Sequence, residues 1–274
     1  MINKKVTTCI NLLSACNRVY PDFLIIGAQK SGTTTLFYYL IQHPQVLPPL
    51  KKEIHYFDKK YHLGSLWYRA HFPLRKKMGA DQITGEKSTD YIFHPLGAPR
   101  IKNAPVKPKL ILLLRDPVNR AISHYNHQVR MGREKRNPEK AFQEEDLLFQ
   151  NNYASLFRKG YFNREKITHY LRFSYKQKGL YLEQIKRYHM QFSADDLIIE
   201  AAENLFQEPA SVAKRVYDFL GIDPGFTPDD LSSQNVGGYK SNAATAKIAQ
   251  QLKEFYKPHN EALFTYLGRR FPWQ

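Results

Sequence analysis

Short runs of consecutive apolar residues alternate along this chain with stretches whose apolar residues recur every three or four positions. Phe23–Ile26, Leu110–Leu114 and Leu197–Glu200 are of the first kind, and such runs, bounded by turn residues, predict buried strands. Leu36, Phe37, Leu40 and Ile41 keep helical spacing until Pro44, as do Leu180, Leu182, Ile185 and Tyr188, and Val212, Val216, Phe219 and Leu220, where Gly221 stops the helix. Asp116 as cap and Pro117 in the first turn open a further helix to about Val129. Ile83–Tyr91 holds a short strand ending in polar residues, and Ala243–Leu267 reads as helical apart from a break at Pro258. Apolar strands alternating with amphipathic helices predict an α/β fold: one domain over residues 21–274, its central sheet mostly parallel and flanked by helices. Residues 1–20 read as a tail or a short helix.

Two segments depart from this rhythm. Arg130–Asp146 is first basic and then acidic, with Gly132 and Pro138, and reads as a mobile surface excursion. Phe226–Asn242 is rich in Gly, Ser, Asn and Pro, and a loop of that length in a small domain is often a functional lid.

Composition narrows the ligand. Among 274 residues, lysine and arginine exceed acids enough to give a net charge of +16, which suits a bisphosphorylated nucleotide, an anionic glycan or nucleic acid. Cys9 and Cys16 offer neither a disulfide framework nor a metal set, and no metal is expected. The longest aliphatic run is far short of a membrane span, and no Asn-x-Ser/Thr sequon occurs. These features lead to the expectation of a cytoplasmic, bacterial-type protein.

The sharpest chemical signal is the loop joining the first strand to its helix, Gly27-Ala-Gln-Lys-Ser-Gly-Thr-Thr-Thr35. Such a loop turns backbone N–H groups and the positive helix end toward one point, a place for a phosphate. It is P-loop-like, but the lysine that normally follows the second glycine stands inside the loop, at Lys30. A kinase or NTPase would want that lysine elsewhere, with a metal-binding aspartate on another strand. A second anion signal is Arg115 at the end of its strand, with Ser123 two helical turns on. Read alone, Arg115 could equally pair with Asp116, and Ser123 could be an ordinary surface residue.

The mid-loop lysine with Thr33 and Thr34, and the whole stretch Leu110–Ser123, resemble the 5′-phosphosulfate loop and the 3′-phosphate motif of sulfotransferases, which use 3′-phosphoadenosine 5′-phosphosulfate (PAPS). Lys52–Asp58, Leu63–Tyr68, Gly85–Tyr91 and Asn260–Trp273 resemble the carbohydrate branch, in particular heparan sulfate sulfotransferases. The resemblance implies that Gln29, Lys30, Ser31, Gly32, Thr33, Thr34, Thr35, Arg115, Ser123, Gly238 and Tyr239 bind the donor, with PAP as product. It implies Lys30 on the leaving phosphate, Glu53 as base, His55 as alternative base or acceptor-binding group, Asp58 as an orienting group and Lys87 near the sulfo group. By sequence alone, Lys51-Lys52-Glu53 is a solvated charge run, and Trp67 and Tyr68 could line a sugar site or pack in the core. The expected acceptor is a saccharide or another hydroxyl or amine, with no nucleic-acid partner. A nucleotide kinase or NTPase and a basic nucleic-acid-binding protein are the alternatives.

Overall fold

The computed structural model describes residues 4–150, 164–234 and 243–273. Its strands are β1 (Phe23–Gly27), β2 (Val46–Leu47), β3 (Ile83–Lys87), β4 (Lys109–Leu114) and β5 (Leu197–Ala201). They pair in the order β2-β3-β1-β4-β5, every pairing parallel. The apolar runs are continuous because both faces of the sheet are covered. Leu24 and Ile26 of β1, with Leu110, Leu112 and Leu114 of β4, enter one core cluster. Phe23, Ile25, Ile111 and Leu113, between them in sequence, enter the other. Phe23 stands opposite Gly85 of β3, where a Cβ would lie 2.5 Å from the Phe23 ring, so only glycine lets the two strands close.

The helices up to the middle of the chain are α1 (Lys4–Leu12), α2 (Thr33–Leu40), α3 (Gly64–Arg69), α4 (Gly97–Lys102), α5 (Pro117–Arg130) and α6 (Pro138–Gln150). The leading segment forms α1, and Asn11 Nδ2 ties it to the body by donating to the Ala70 carbonyl at 2.8 Å. The start of α5 is as expected: Asp116 accepts from the Asn119 N–H at 2.7 Å, and Pro117 occupies the first turn. After the Pro209–Leu220 helix, Gly221 takes a left-handed conformation at φ 72°.

Three expectations need correction. The 130–146 segment is no loose excursion: its carboxylates are met partly by its own Arg136 and partly by residues outside it. Arg136 bonds Glu134 and Glu144, Tyr175 donates to Glu134 at 2.8 Å, and buried Glu145 accepts from the Lys176 and Gln177 amides. Buried carboxylates with that many donors hold α6 in place. Pro258 does not break its helix, which runs through it from Ala243 to Leu267. Glu254, whose carbonyl loses its i+4 partner at Pro258, is exposed, as is Pro258 itself, so water can meet the freed acceptor. The described part of the expected lid is strapped to α2, with Tyr39 Oη donating to the Leu231 carbonyl at 2.7 Å and the Gln234 N–H to Thr35 Oγ1 at 2.9 Å. Its remainder, including Gly238 and Tyr239, lies outside the described residues.

Candidate active site

The carboxyl ends of three neighbouring strands supply the floor of one cleft. The end of β1 leads into the Gly27–Gly32 loop, Lys87 is the last residue of β3, and Arg115 directly follows β4. In the loop Lys30 has φ 71° and Gly32 φ 78°. The second suits glycine, and a Cβ at Gly32 would also lie 3.0 Å from the Phe206 ring. The first is unusual for a lysine and fixes how its side chain leaves the loop. Arg115 Nη1 donates to the Lys30 carbonyl at 3.1 Å, while Tyr181 Oη donates to the Arg115 carbonyl at 2.8 Å, so the two anion signals are joined through the backbone.

Gln29, Lys30, Gly32, Thr33, Thr34, Thr35, Glu53, His55, Lys87, Arg115 and Ser123 all line this cleft, whose volume is about 960 Å³. Ser31 does not: it is fully buried behind the loop. Burial, and then the nearby Arg130, Arg115 and Lys87 charges, push the Lys30 ammonium down to a pKa of about 8. Such crowding of cations in one cavity favours a polyanionic ligand.

Glu53 stands opposite because its loop is laid along the end of β3. The Lys87 N–H donates to the Lys52 carbonyl at 2.9 Å and the His55 N–H to Ser88 Oγ at 2.9 Å. Below them Glu86 is fully buried, its carboxylate receiving the Ile54 N–H and the hydroxyls of Tyr68, Ser88 and Tyr91. Tyr68 is therefore a core residue holding this anchor, not a sugar platform. Glu53 bonds Lys87 Nζ, and His55 Nε2 lies 3.7 Å from its other oxygen. Desolvation works to raise the Glu53 pKa, but the His55 contact and the Lys87 charge and hydrogen bond outweigh it and hold the carboxylate at about 2. For His55 burial favours the neutral ring, yet Asp58, accepting from Nδ1 at 2.8 Å, together with Glu53 raises it to about 9.

Sequence reasoning missed what lies behind this pair. Asp90, nearly fully buried, accepts from Lys59 at 2.8 Å through one oxygen and from Lys178 at 2.7 Å through the other. Lys178 also donates to Gln29 Oε1 at 2.8 Å. A chain of polar and charged contacts thus runs from the Gly27–Gly32 loop to Glu53: Gln29, Lys178, Asp90, Lys59, Asp58, His55, Glu53. Asp90 stood within the polar cluster after β3, but Lys178, in the short turn Gln177–Gly179, had no local signal. His55, Asp58 and Asp90 come close enough to suggest a metal set. The carboxylate oxygens, however, already face the His55 ring and the two lysine ammoniums, so their charge is met from within the protein.

Residues 20–247 match the sulfotransferase domain family. Similar proteins include the membrane-associated sulfotransferase kil1 of Dictyostelium discoideum, 28% identical over 93% of this chain and 66% of that protein. Heparan sulfate glucosamine 3-O-sulfotransferase 3B1 of Mus musculus is 30% identical over 94% of this chain and 66% of its own length. Bifunctional heparan sulfate N-deacetylase/N-sulfotransferase 4 of the same species is 32% identical over 75% of this chain and 23% of its own length. The chain thus spans just under two thirds of the length of the first two relatives. A solved sulfotransferase from Alicyclobacillus acidocaldarius superposes with a TM-score of 0.71 at 26% identity, covering 92% of this chain and 98% of that one. These relatives correct the cytoplasmic expectation, since one of them is a membrane-associated sulfotransferase and the family members resembling this chain include heparan sulfate enzymes. Among the described residues no helix is long and apolar enough to cross a membrane. The kinase and NTPase alternative gives way as well: with its parallel five-stranded sheet, its mid-loop lysine and a family match over most of its length, the chain belongs to the sulfotransferase family.

Proposed function

We propose that this protein transfers a sulfuryl group from PAPS to a hydroxyl or amine of a saccharide. The observation that carries the reading is that a cation-crowded anion loop and an ion-paired carboxylate, Glu53, line the same cleft. The Gly27–Thr33 turn and Lys30 receive the 5′-phosphosulfate, and Arg115 with Ser123 receives the 3′-phosphate. The donor supplies the sulfuryl group and a phosphate leaving group. A bond forms from the acceptor oxygen or nitrogen to sulfur while the bond from sulfur to the 5′-phosphate oxygen breaks, and the acceptor proton passes to Glu53. Lys30 meets the charge that grows on the leaving oxygen, where a preplaced cation contributes most.

A carboxylate held at a pKa of about 2 is a weak base. Lys87 resolves this: drawn to the oxygens of the sulfo group, it releases Glu53, whose proton affinity then rises where the acceptor arrives. His55, fixed by Asp58, keeps the carboxylate aimed. The saccharide acceptor is supported by the heparan sulfate relatives, and Lys52, Arg130 and Arg133 on the cleft wall suit an anionic one.

The test is transfer of labelled sulfuryl from PAPS to a heparan-type oligosaccharide, a neutral oligosaccharide and a simple phenol. Label is expected on a saccharide with the wild type, and loss of it with Glu53→Gln. Labelling of the phenol alone would overturn the saccharide assignment, and labelling of none would overturn the reading as a whole.

A further inference from the structure

On the far side of the Tyr56–Lys60 turn from the cleft lies a second cavity of about 870 Å³, walled by Leu12 of α1, Leu63, Trp67 and Ile167. Lys51 and Lys60 stand at its rim. Asp58 is the one acidic residue lining it among the described residues, and that carboxylate is taken by His55 and Lys59. Lys60 donates to the Ile54 carbonyl at 3.1 Å and stands over the Trp67 ring, while Lys51 is disfavoured as a cation by burial and then by Lys4 and Lys5 of α1.

α1 itself presents apolar side chains to water. Val6 and Ile10 of α1, and Leu13 just beyond its end, are 50%, 56% and 92% exposed, and the four-residue spacing of Val6 and Ile10 puts those two on one helical face. Asn11 and the buried Thr8 point the other way, toward the body. A solvent-facing apolar stripe with Lys5 beside it, adjoining an apolar cavity edged with lysine, is the pattern of an interfacial helix. A second copy is a poor occupant, because a two-fold contact would bring one and the same lysine-bearing patch against itself. An anionic lipid surface satisfies both halves, with acyl chains for the stripe and cavity and head groups for the lysines.

We propose that the protein docks through α1 and the adjoining cavity on an anionic lipid bilayer. None of Val6, Ile10, Lys5 or Lys51 belongs to the sulfuryl-transfer machinery.

The full chain is sedimented with phosphatidylcholine vesicles with and without phosphatidylglycerol. Binding is expected only to the anionic vesicles, weakening as salt is raised. The double variant Val6→Asp/Ile10→Asp should bind about tenfold less or worse, and Lys5→Glu/Lys51→Glu should lose the preference for phosphatidylglycerol. Val6→Asp/Ile10→Asp should unfold at the wild-type temperature, since both side chains are solvent-facing, and Lys5→Glu/Lys51→Glu should unfold no lower, since Lys5 is exposed and Lys51 is half-buried among like charges. Wild type that fails to sediment with anionic vesicles, or variants that sediment as well as wild type, would overturn the proposal. So would sedimentation velocity showing a dimer that Val6→Asp/Ile10→Asp dissociates, because the stripe would then belong to a second copy.

Discussion

The two sides of the cleft are built by different means. The proposed donor side is local backbone: one strand end, one loop with φ 71° at Lys30 and φ 78° at Gly32, and one arginine bonded to that loop. The base side, that of the proposed base Glu53, is a buried charge network whose members are drawn from residues 53–59, Asp90 and Lys178. A local loop can lose a side chain and keep its shape, whereas a buried network that loses one member strands charges away from water. The donor side should therefore fail chemically and the base side structurally.

The largest expected effect tests the second half of that statement. Asp90→Ala leaves the ammoniums of Lys59 and Lys178 without their shared carboxylate, and should destabilise the fold by about 3–5 kcal/mol in urea unfolding. A loss below about 1 kcal/mol would mean that the network is not what holds this side together. On the donor side Lys30→Ala should leave the unfolding midpoint in place but lower kcat by ~10²-fold or more. Near-normal turnover would remove Lys30 from the mechanism.

How legible each side was in the sequence follows from the same difference. The alternation of apolar runs and helical periods is a local property, and it yielded the parallel sheet and the α5 cap. The Gly27–Thr35 loop and Leu110–Ser123 are contiguous, so their chemistry could be quoted from the chain. Glu53 looked like part of a solvated charge run because what carries it, Glu86 with Tyr68 and Tyr91, lies 15 or more residues away. Lys178 and Gln29 meet across 149 positions. The 130–146 segment misled for a related reason: a basic run followed by an acidic one looks solvated until the fold brings partners such as Lys176 and Lys247 to the acids.

Smaller effects sharpen the comparison. Arg115→Ala should weaken binding of the desulfated nucleotide by on the order of 2 kcal/mol, through loss of a charge-assisted phosphate contact. Unchanged affinity would place the 3′-phosphate elsewhere. pH should separate the sides too. The Lys30 pKa, depressed to about 8 by burial and neighbouring cations, predicts kcat/KM falling as pH rises through about 8, because the loop then loses its charge. The His55 pKa is shifted the other way, its folded value of about 9 lying above the ordinary one. Its contribution to stability is full below about pH 6.5 and is lost as pH rises toward 9, a loss that Asp58→Asn should abolish.

In the proposed mechanism the cleft holds an adenosine bisphosphate unit with its 5′ end at Lys30. Calorimetric titration with 3′,5′-adenosine bisphosphate, set beside ATP with Mg²⁺, tests it most directly. Saturable one-to-one binding of the bisphosphate, at least tenfold tighter than ATP and weakened by Arg115→Ala, is the predicted result. Tighter binding of ATP, or no binding of the bisphosphate, would contradict the account.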